Sequence, residues 1–319
     1  MLGSRRTSAA VAAGFVLTLG SCGGSAFTGR SGGPNPTVEI PPTSAPVTRA
    51  PALQATLVRS AALTTAARSA RTSISVTVTG AGNDELATGA YDMAGSGVVD
   101  FGNGVDFGNG DTDLVLSIPQ FDRLPGGGAI EQRIVAGVVY TKLPTDFLRA
   151  AGAPAAVRWV SVDTEPAGSD APAGSGAHAD PDGQLVFVAA ASDDVRLVGT
   201  ESVRGVRSTH YRTTIDPSDA ARAGSRTAAA RVKLAQLGST LGTRPLVDVW
   251  LDSSGRARRV VVSVPLAPSG SGSLDGLGPD ATMRIQADFY AFGQRVQVTA
   301  PPRDQVRPYS TLRNPGPRG

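Results

Sequence analysis

Along most of the chain the apolar positions keep either a helical or a strand period, and the switches between the two mark the elements. Ala52 to Ala70 has no Gly or Pro, is rich in alanine and repeats Leu53/Leu57 and Val58/Ala62 at helical spacing, which predicts an amphipathic helix. The period then drops to two. Ile74, Val76 and Val78 alternate with Ser73, Ser75, Thr77 and Thr79, the pattern of a strand with one apolar and one polar face. Further strands are predicted at Glu85–Met93, Gly97–Val105, Asp111–Ile118 and Glu131–Lys142, with Leu114, Leu116 and Ile118 on one face and Ile134, Ala136, Val138 and Tyr140 on another. Pro144 to Trp159 reads as a loop with one helical turn at Asp146–Ala150, Thr164 to Asp182 as a Pro/Ala/Gly/Ser surface loop, and Gly183–Ala191 as a short helix in preference to a strand. Val195–Thr200 and Val206–Ile215 pair across Ser202–Gly205. Asp216-Pro217-Ser218-Asp219 combines an N-cap acid, Pro at the first helical position and an acid in the first turn, opening a helix to about Leu237 with the stripe Ala230, Leu234, Leu237 and Leu241. After Pro245 a hairpin runs through Val247, Val249 and Leu251, turns at Ser253-Ser254-Gly255 and returns along Arg259–Val264. A last strand spans Thr282–Phe292, and the Pro/Arg-rich tail after Pro301 is either disordered or an edge-covering strand followed by a tail.

Nearly ten antiparallel strands with few helices predict an α+β domain built on one large curved antiparallel half-barrel sheet. The concave face of such a sheet offers more apolar surface than two or three helices fill, which leaves room for a lipid-sized cavity. The alternative is a concavity packed shut.

The first residues change the picture. Arg5 and Arg6 precede an uncharged apolar run from Ala9 to Leu19, too short to span a bilayer and of signal-peptide length. Leu19-Gly20-Ser21-Cys22 resembles a bacterial lipobox, which implies diacylglyceryl transfer to Cys22 and cleavage before it. Cys22 is the only cysteine, so no disulfide supports the fold. Ser4-Arg5-Arg6-Thr7 lacks the apolar residues that follow a twin-arginine pair, which favours general secretion. Removal of residues 1–21 lowers the formal charge from +3 to +1, so the alkaline isoelectric point is no nucleic-acid footprint. The organisation expected is a signal peptide at 1–21, a lipidated disordered tether at 22–51, a domain at 52–300 and a flexible tail at 301–319. The tether from Cys22 through the Thr/Pro/Ser-rich stretch Pro34–Pro51 would let the domain stand on the order of 30 Å from the membrane.

Little in the chain points to catalysis. Its two histidines, His178 in a loop and His210 as a partly exposed strand residue, are poorly placed as general bases, and no nucleophile elbow, phosphate loop or dinucleotide fingerprint is present in its required context. Two separated histidines and one cysteine argue against zinc. The tandem repeat of Val-Asp-Phe-Gly-Asn-Gly at Val99–Gly110 reads as a duplicated turn in preference to a calcium loop of Asp106, Asn109, Asp111 and Asp113, because position 120 is Gln120. Asp193 and Asp194 read as solvated turn acids. The expectation is a protein that is not an enzyme and needs no cofactor or metal.

The run Val198-Gly199-Thr200-Glu201-Ser202-Val203-Arg204-Gly205-Val206-Arg207-Ser208-Thr209-His210-Tyr211-Arg212, then Ile215-Asp216, then Val247-Asp248-Val249-Trp250-Leu251-Asp252 with Gly255 and Arg259-Val260, resembles the actinobacterial LppX/LprG lipoprotein family and the wider LolA-like fold. The similarity covers roughly Ala52 to Thr299. It implies a half-barrel closed by helices around a pocket for acyl chains, and roles in moving lipids or lipidated molecules across the envelope. The cavity positions expected on the concave face are Ile74, Val76, Val78, Leu114, Leu116, Val138, Val249, Val262, Ile285 and Phe289, with Leu234 and Leu237 from the helical cover. The expected partners are a lipid or glycolipid, the extracytoplasmic face of the cell membrane through Cys22, and an envelope transporter or sensor protein, with no nucleic acid. A regulatory or structural lipoprotein that works through protein partners is the competing class.

Overall fold

The structure is a computed structural model that describes residues 50–81, 92–102, 110–117, 128–163, 181–215, 244–265 and 277–312. Helix α1 (Ala50–Thr65) leads into strands β1 (Ser69–Ala81), β2 (Met93–Asp100), β3 (Asp111–Ser117), β4 (Ile130–Val135) and β5 (Val138–Lys142). Helix α2 (Thr145–Ala150), β6 (Trp159–Asp163) and helix α3 (Gly183–Ala189) precede β7 (Arg196–Val203), β8 (Val206–Thr214), β9 (Leu246–Leu251), β10 (Ala257–Pro265) and β11 (Leu277–Tyr290); β12 (Val306–Pro308) closes the series. All twelve strands lie in one sheet of order β12-β6-β5-β4-β3-β2-β1-β11-β10-β9-β8-β7, antiparallel except where β12 runs parallel to β6 along its edge. The predicted α+β architecture of one large antiparallel sheet with a few helices is therefore observed. Leader, tether, the strand expected from Glu85 as far as residue 91, the repeat's residues 103–109, His178 and the helix expected over 216–237 lie outside the described residues.

The register sorts side chains into two faces. Leu116, Gly95, Ile74, Ala287, Val260, Val249 and Tyr211 form one row across seven strands, and all but the glycine are apolar or aromatic. The next row is Ser96, Ser73, Asp288, Arg259, Trp250 and His210, polar but for the indole. Because side chains alternate along a strand, the first row faces the core and the second faces away. Bending toward the core is permitted at β2, where Gly95 and Gly97 leave no inward side chain. A Cβ at Gly97 would overlap the Asp113 carbonyl oxygen, and one at Gly95 would overlap Leu116 Cδ2, so β3 approaches β2 more closely than any side chain allows.

The two ends of the sheet differ. At one end the chain reverses through short turns at Ala136-Gly137, Arg204-Gly205 and 252–256. At the other end β1, β3, β8 and β10 finish and β2, β4, β9 and β11 begin, joined by the longer connections. Helix α1 spans the two ends. Its Gln54 Nε2 donates to Ala191 O at 2.8 Å near the end of β8, and its Thr64 Oγ1 accepts from Ala257 N at 2.8 Å at the short-turn end. Leu57 and Ala61 are its buried stripe; Val58 and Ala62, paired with it in the sequence reading, are exposed, because the sheet contacts only the Leu53/Leu57/Ala61 side. Helix α3, buried from Gly183 to Val188, lies between α1 and the inward face of β9 and β10.

Candidate functional site

Eight of the expected cavity positions meet in one cluster on the inward face. Ile74, Val76, Leu114, Leu116, Val249, Val262, Ile285 and Phe289 are all buried in it, joined by Val78, which is half-buried. Phe101 and Phe289 close the short-turn end with ring centroids 6.2 Å apart, beneath α1 and α3, whose Leu57, Leu185, Val186 and Val188 belong to the same cluster. Toward the opposite end the inward face continues through Val76, Val78, Met93, Leu116, Val264 and Met283, and here Val78 and Met93 are half-buried. Leu234 and Leu237 lie outside the described residues.

Val138 is not part of this surface. The stretch Glu131–Lys142 is two strands, because Ala136 (φ 50°) and Gly137 (φ 79°) make a two-residue hairpin turn. Ile134 pairs with Val139, both buried, whereas Val135 and Val138 close the turn and face the other way, half-exposed. The reversal changes which parity points inward. Met93, Ile130 and Val264, not singled out by the sequence reading, are inward too, as is Met283, which the strand pattern puts on one face with Ile285, Ala287 and Phe289; Met93 and Ile130 start strands whose boundaries the turn residues obscured.

The outward face carries a second constellation that strand periodicity alone did not reveal. His210, read as partly exposed, is 5% exposed. Its Nδ1 lies 2.9 Å from Glu201 Oε1 and its Nε2 2.6 Å from Asp248 Oδ1, and its ring stacks on Trp250 at 4.1 Å. Trp250 Nε1 donates to Glu201 Oε2 at 3.0 Å, and Arg212 Nε donates to Asp248 Oδ1 at 2.7 Å. Two strands away, Arg259 grips Asp288 through Nε at 2.6 Å and Nη2 at 2.8 Å, a paired geometry that strengthens both bonds. These hydrogen bonds push Arg212 and Arg259 further up from the usual arginine value against burial.

What buries an outward face is the tip of the β7–β8 hairpin. Leu251 ends β9 opposite Thr209, so residues 203–208 run past their neighbour and fold over the sheet. Val203 packs on Trp250 and Val261, while Arg204 reaches Asp288 Oδ2 at 3.2 Å and donates to Ser73 Oγ at 2.7 Å. Asp193 and Asp194 are at the other end of the same hairpin. Burial acts to raise the Asp194 carboxyl, but bonds from Thr213 Oγ1 (2.6 Å), Thr214 N (3.0 Å) and Thr214 Oγ1 (2.8 Å) hold it below its ordinary value. Asp111 and Asp113, two of the four residues of the calcium-loop alternative, respectively accept from Ala136 N at 3.0 Å and pair with Arg133 Nε at 3.1 Å. Among the described residues no group of three His, Cys, Asp or Glu is placed to hold a metal ion, and no helix is long and apolar enough to cross a membrane.

No family model matches the chain, and no curated protein matches it significantly. Among solved structures it is similar to LprF from Mycobacterium bovis, at 15% identity and a TM-score of 0.42, covering 79% of this chain and 97% of that one. It is also similar to the Mycobacterium tuberculosis lipoprotein LppX, at 17% identity and a TM-score of 0.42, covering 78% of this chain and 99% of the other. A further match is the Pseudomonas aeruginosa MucA/MucB complex structure, at 15% identity and a TM-score of 0.31, covering 79% of this chain and 59% of that one. Likeness at this level assigns neither family nor ligand to the chain.

Proposed function

We propose that this chain is a lipoprotein anchored through Cys22 on the extracytoplasmic face of the cell membrane, taking the acyl chains of a lipid or glycolipid against the inward face of its sheet in the course of transport across the envelope. The observation that carries the reading is the extent of the inward face, mostly apolar and interrupted only at Thr72, Thr112 and Gln132 among the described residues. It extends from Ile130 on β4 to Val249 on β9, and α1 and α3 cross it against β9 and β10 while Val78 and Met93, on β1 and β2 toward the end away from the short turns, stay half-buried. Acyl burial there yields about 0.8 kcal/mol per CH₂ without any polar contact, so such a site is tolerant of headgroup. Helix α1 starts toward this same end, so a tether from residue 22 would bring the apolar face to the membrane it draws from.

Native mass spectrometry with solvent extraction, on residues 30–319 produced without the lipobox in an actinobacterial host, tests the reading. Discrete lipid adducts are expected, and they should give way to the apo mass in Val76→Trp or Val249→Trp variants that keep their circular dichroism. An apo mass in the unaltered chain, together with no uptake of a fluorescent lipid, would refute it. The second reading, a sensor or regulator acting through a protein, is favoured by β7. It is an edge strand whose Leu197 and Val198 are 59% and 48% exposed, an arrangement suited to pairing with an added strand.

A further inference from the structure

The start of β10 holds a buried cation that no carboxylate among the described residues neutralises. Ala257 pairs with Leu251 and Arg259 with Trp250, so Arg258 is the additional residue of a bulge, a device that re-aims a side chain. Arg258 is only 8% exposed, and among the described residues its Nε has no hydrogen-bond partner and no carboxylate pairs with it. Its guanidinium lies 5.3 Å from the Phe292 ring centroid, and that of Arg256 lies 4.6 Å from the same ring. Arg204 stands close by, its guanidinium 4.2 Å from the Tyr290 ring.

The nearby acids among the described residues, Asp252 and Asp288, are already committed. Asp252 Oδ1 accepts from Ser254 N and Arg256 N at 2.9 and 3.0 Å, and its Oδ2 meets Arg256 Nε at 3.4 Å. Asp288 is shared among Arg259, Arg204 and Gln286. Burial, aided by the fields of Arg256 and Arg204 and opposed by Asp252 and Asp288, lowers the Arg258 pKa from the usual arginine value. An arginine nonetheless stays protonated, and a buried charge without a counter-charge is costly.

We propose that Arg258, together with Arg256 on the same Phe292 ring and Arg204 on the Tyr290 ring, binds a phosphate-type oxyanion at the short-turn end of the sheet. The ligand supplies the counter-charge that the fold withholds, and the guanidinium fork matches its oxygens in pairs. Nε is the buried part of the fork, so the anion approaches the Nη groups. The site is on the opposite end from the start of α1, away from the end proposed to face the anchoring membrane, and it stands independently of the lipid reading.

Isothermal titration of the full mature chain with inorganic phosphate, against chloride at matched ionic strength, reads the site directly. Saturable phosphate binding is expected, weakened about 10–100-fold in Arg258→Met. That variant keeps the apolar stem and removes an unpaired charge, so its melting temperature without phosphate should be unchanged or higher. Sedimentation with phosphatidylglycerol vesicles, compared with phosphatidylcholine, separates the sources: capture by the former without a response to free phosphate assigns the oxyanion to an anionic headgroup. No binding in either arm, or equal phosphate affinity in Arg258→Met, overturns the proposal. If Arg258→Met does not fold, Arg256→Met decides: weaker phosphate binding supports the site and unchanged binding overturns it.

Discussion

Asp248 and Asp288 show how single carboxylates hold neighbouring strands together on a face turned away from the apolar core. Asp248 is 4% exposed and meets both His210 and Arg212, so removing it leaves the buried His210 Nε2 without its partner and takes the paired carboxylate from Arg212. Asp248→Ala should cost about 3 kcal/mol, read as a lower urea midpoint at pH 7, with the greater part of the loss coming from the partners left unpaired. Asp194 makes a pH-dependent contribution of known sign. Its folded pKa lies below the ordinary 3.8, so its stabilisation is complete above that value and is lost as pH falls through the folded pKa. The gap in urea midpoint between the unaltered chain and Asp194→Asn should therefore be steady from pH 7 to 5 and close in the acid range below 3.8; a gap that widens on acidification would contradict the assignment. None of this was legible in the sequence beyond the presence of acids in strands. The partners of His210 are 9 and 38 residues away, and strand register brings them together.

Strands were the most legible elements where turn chemistry and alternation agreed. The hairpin around Ser253-Ser254-Gly255 forms as its pattern indicates, with Gly255 at φ 78°, and the short helix at Gly183 is present. Alternation failed where a two-residue turn lay inside an apolar run. Nothing in Val135-Ala136-Gly137-Val138 interrupts the apolar character, so one long strand was read and Val138 was assigned the wrong face. The Pro/Arg-rich end, left open between a disordered tail and an edge strand, places Val306–Pro308 beside β6 and covers that edge. Gly97 was also unreadable in advance, since its role depends on how near β3 comes. Gly97→Ala should destabilise the fold by about 3 kcal/mol, because the backbone of β3, and not a flexible side chain, would have to give way; a thermal melt within 1 °C of the unaltered chain, an order-of-magnitude allowance, would show that the sheet bends elsewhere.

As a whole the sheet is two meanders, β1 to β6 and β7 to β11, joined along the single seam where β1 meets β11. Within each meander neighbours follow one another along the chain, whereas across the seam Thr72 Oγ1 donates to Asp288 O at 3.0 Å over a separation of 216 residues. Loop-closure entropy makes that contact late, so Thr72→Val should leave the folding rate unchanged and speed unfolding about fivefold for a loss of about 1 kcal/mol, as a chevron would show; slower folding would place the seam in the nucleus. This connectivity also schedules the molecule's birth. At ribosomal rates, roughly 10–40 s separate the emergence of Thr72 from that of Asp288, and over that interval β1 offers an open edge lined by Ile74 and Val76 to any other strand. The nascent chain therefore carries that edge uncovered until β11 arrives.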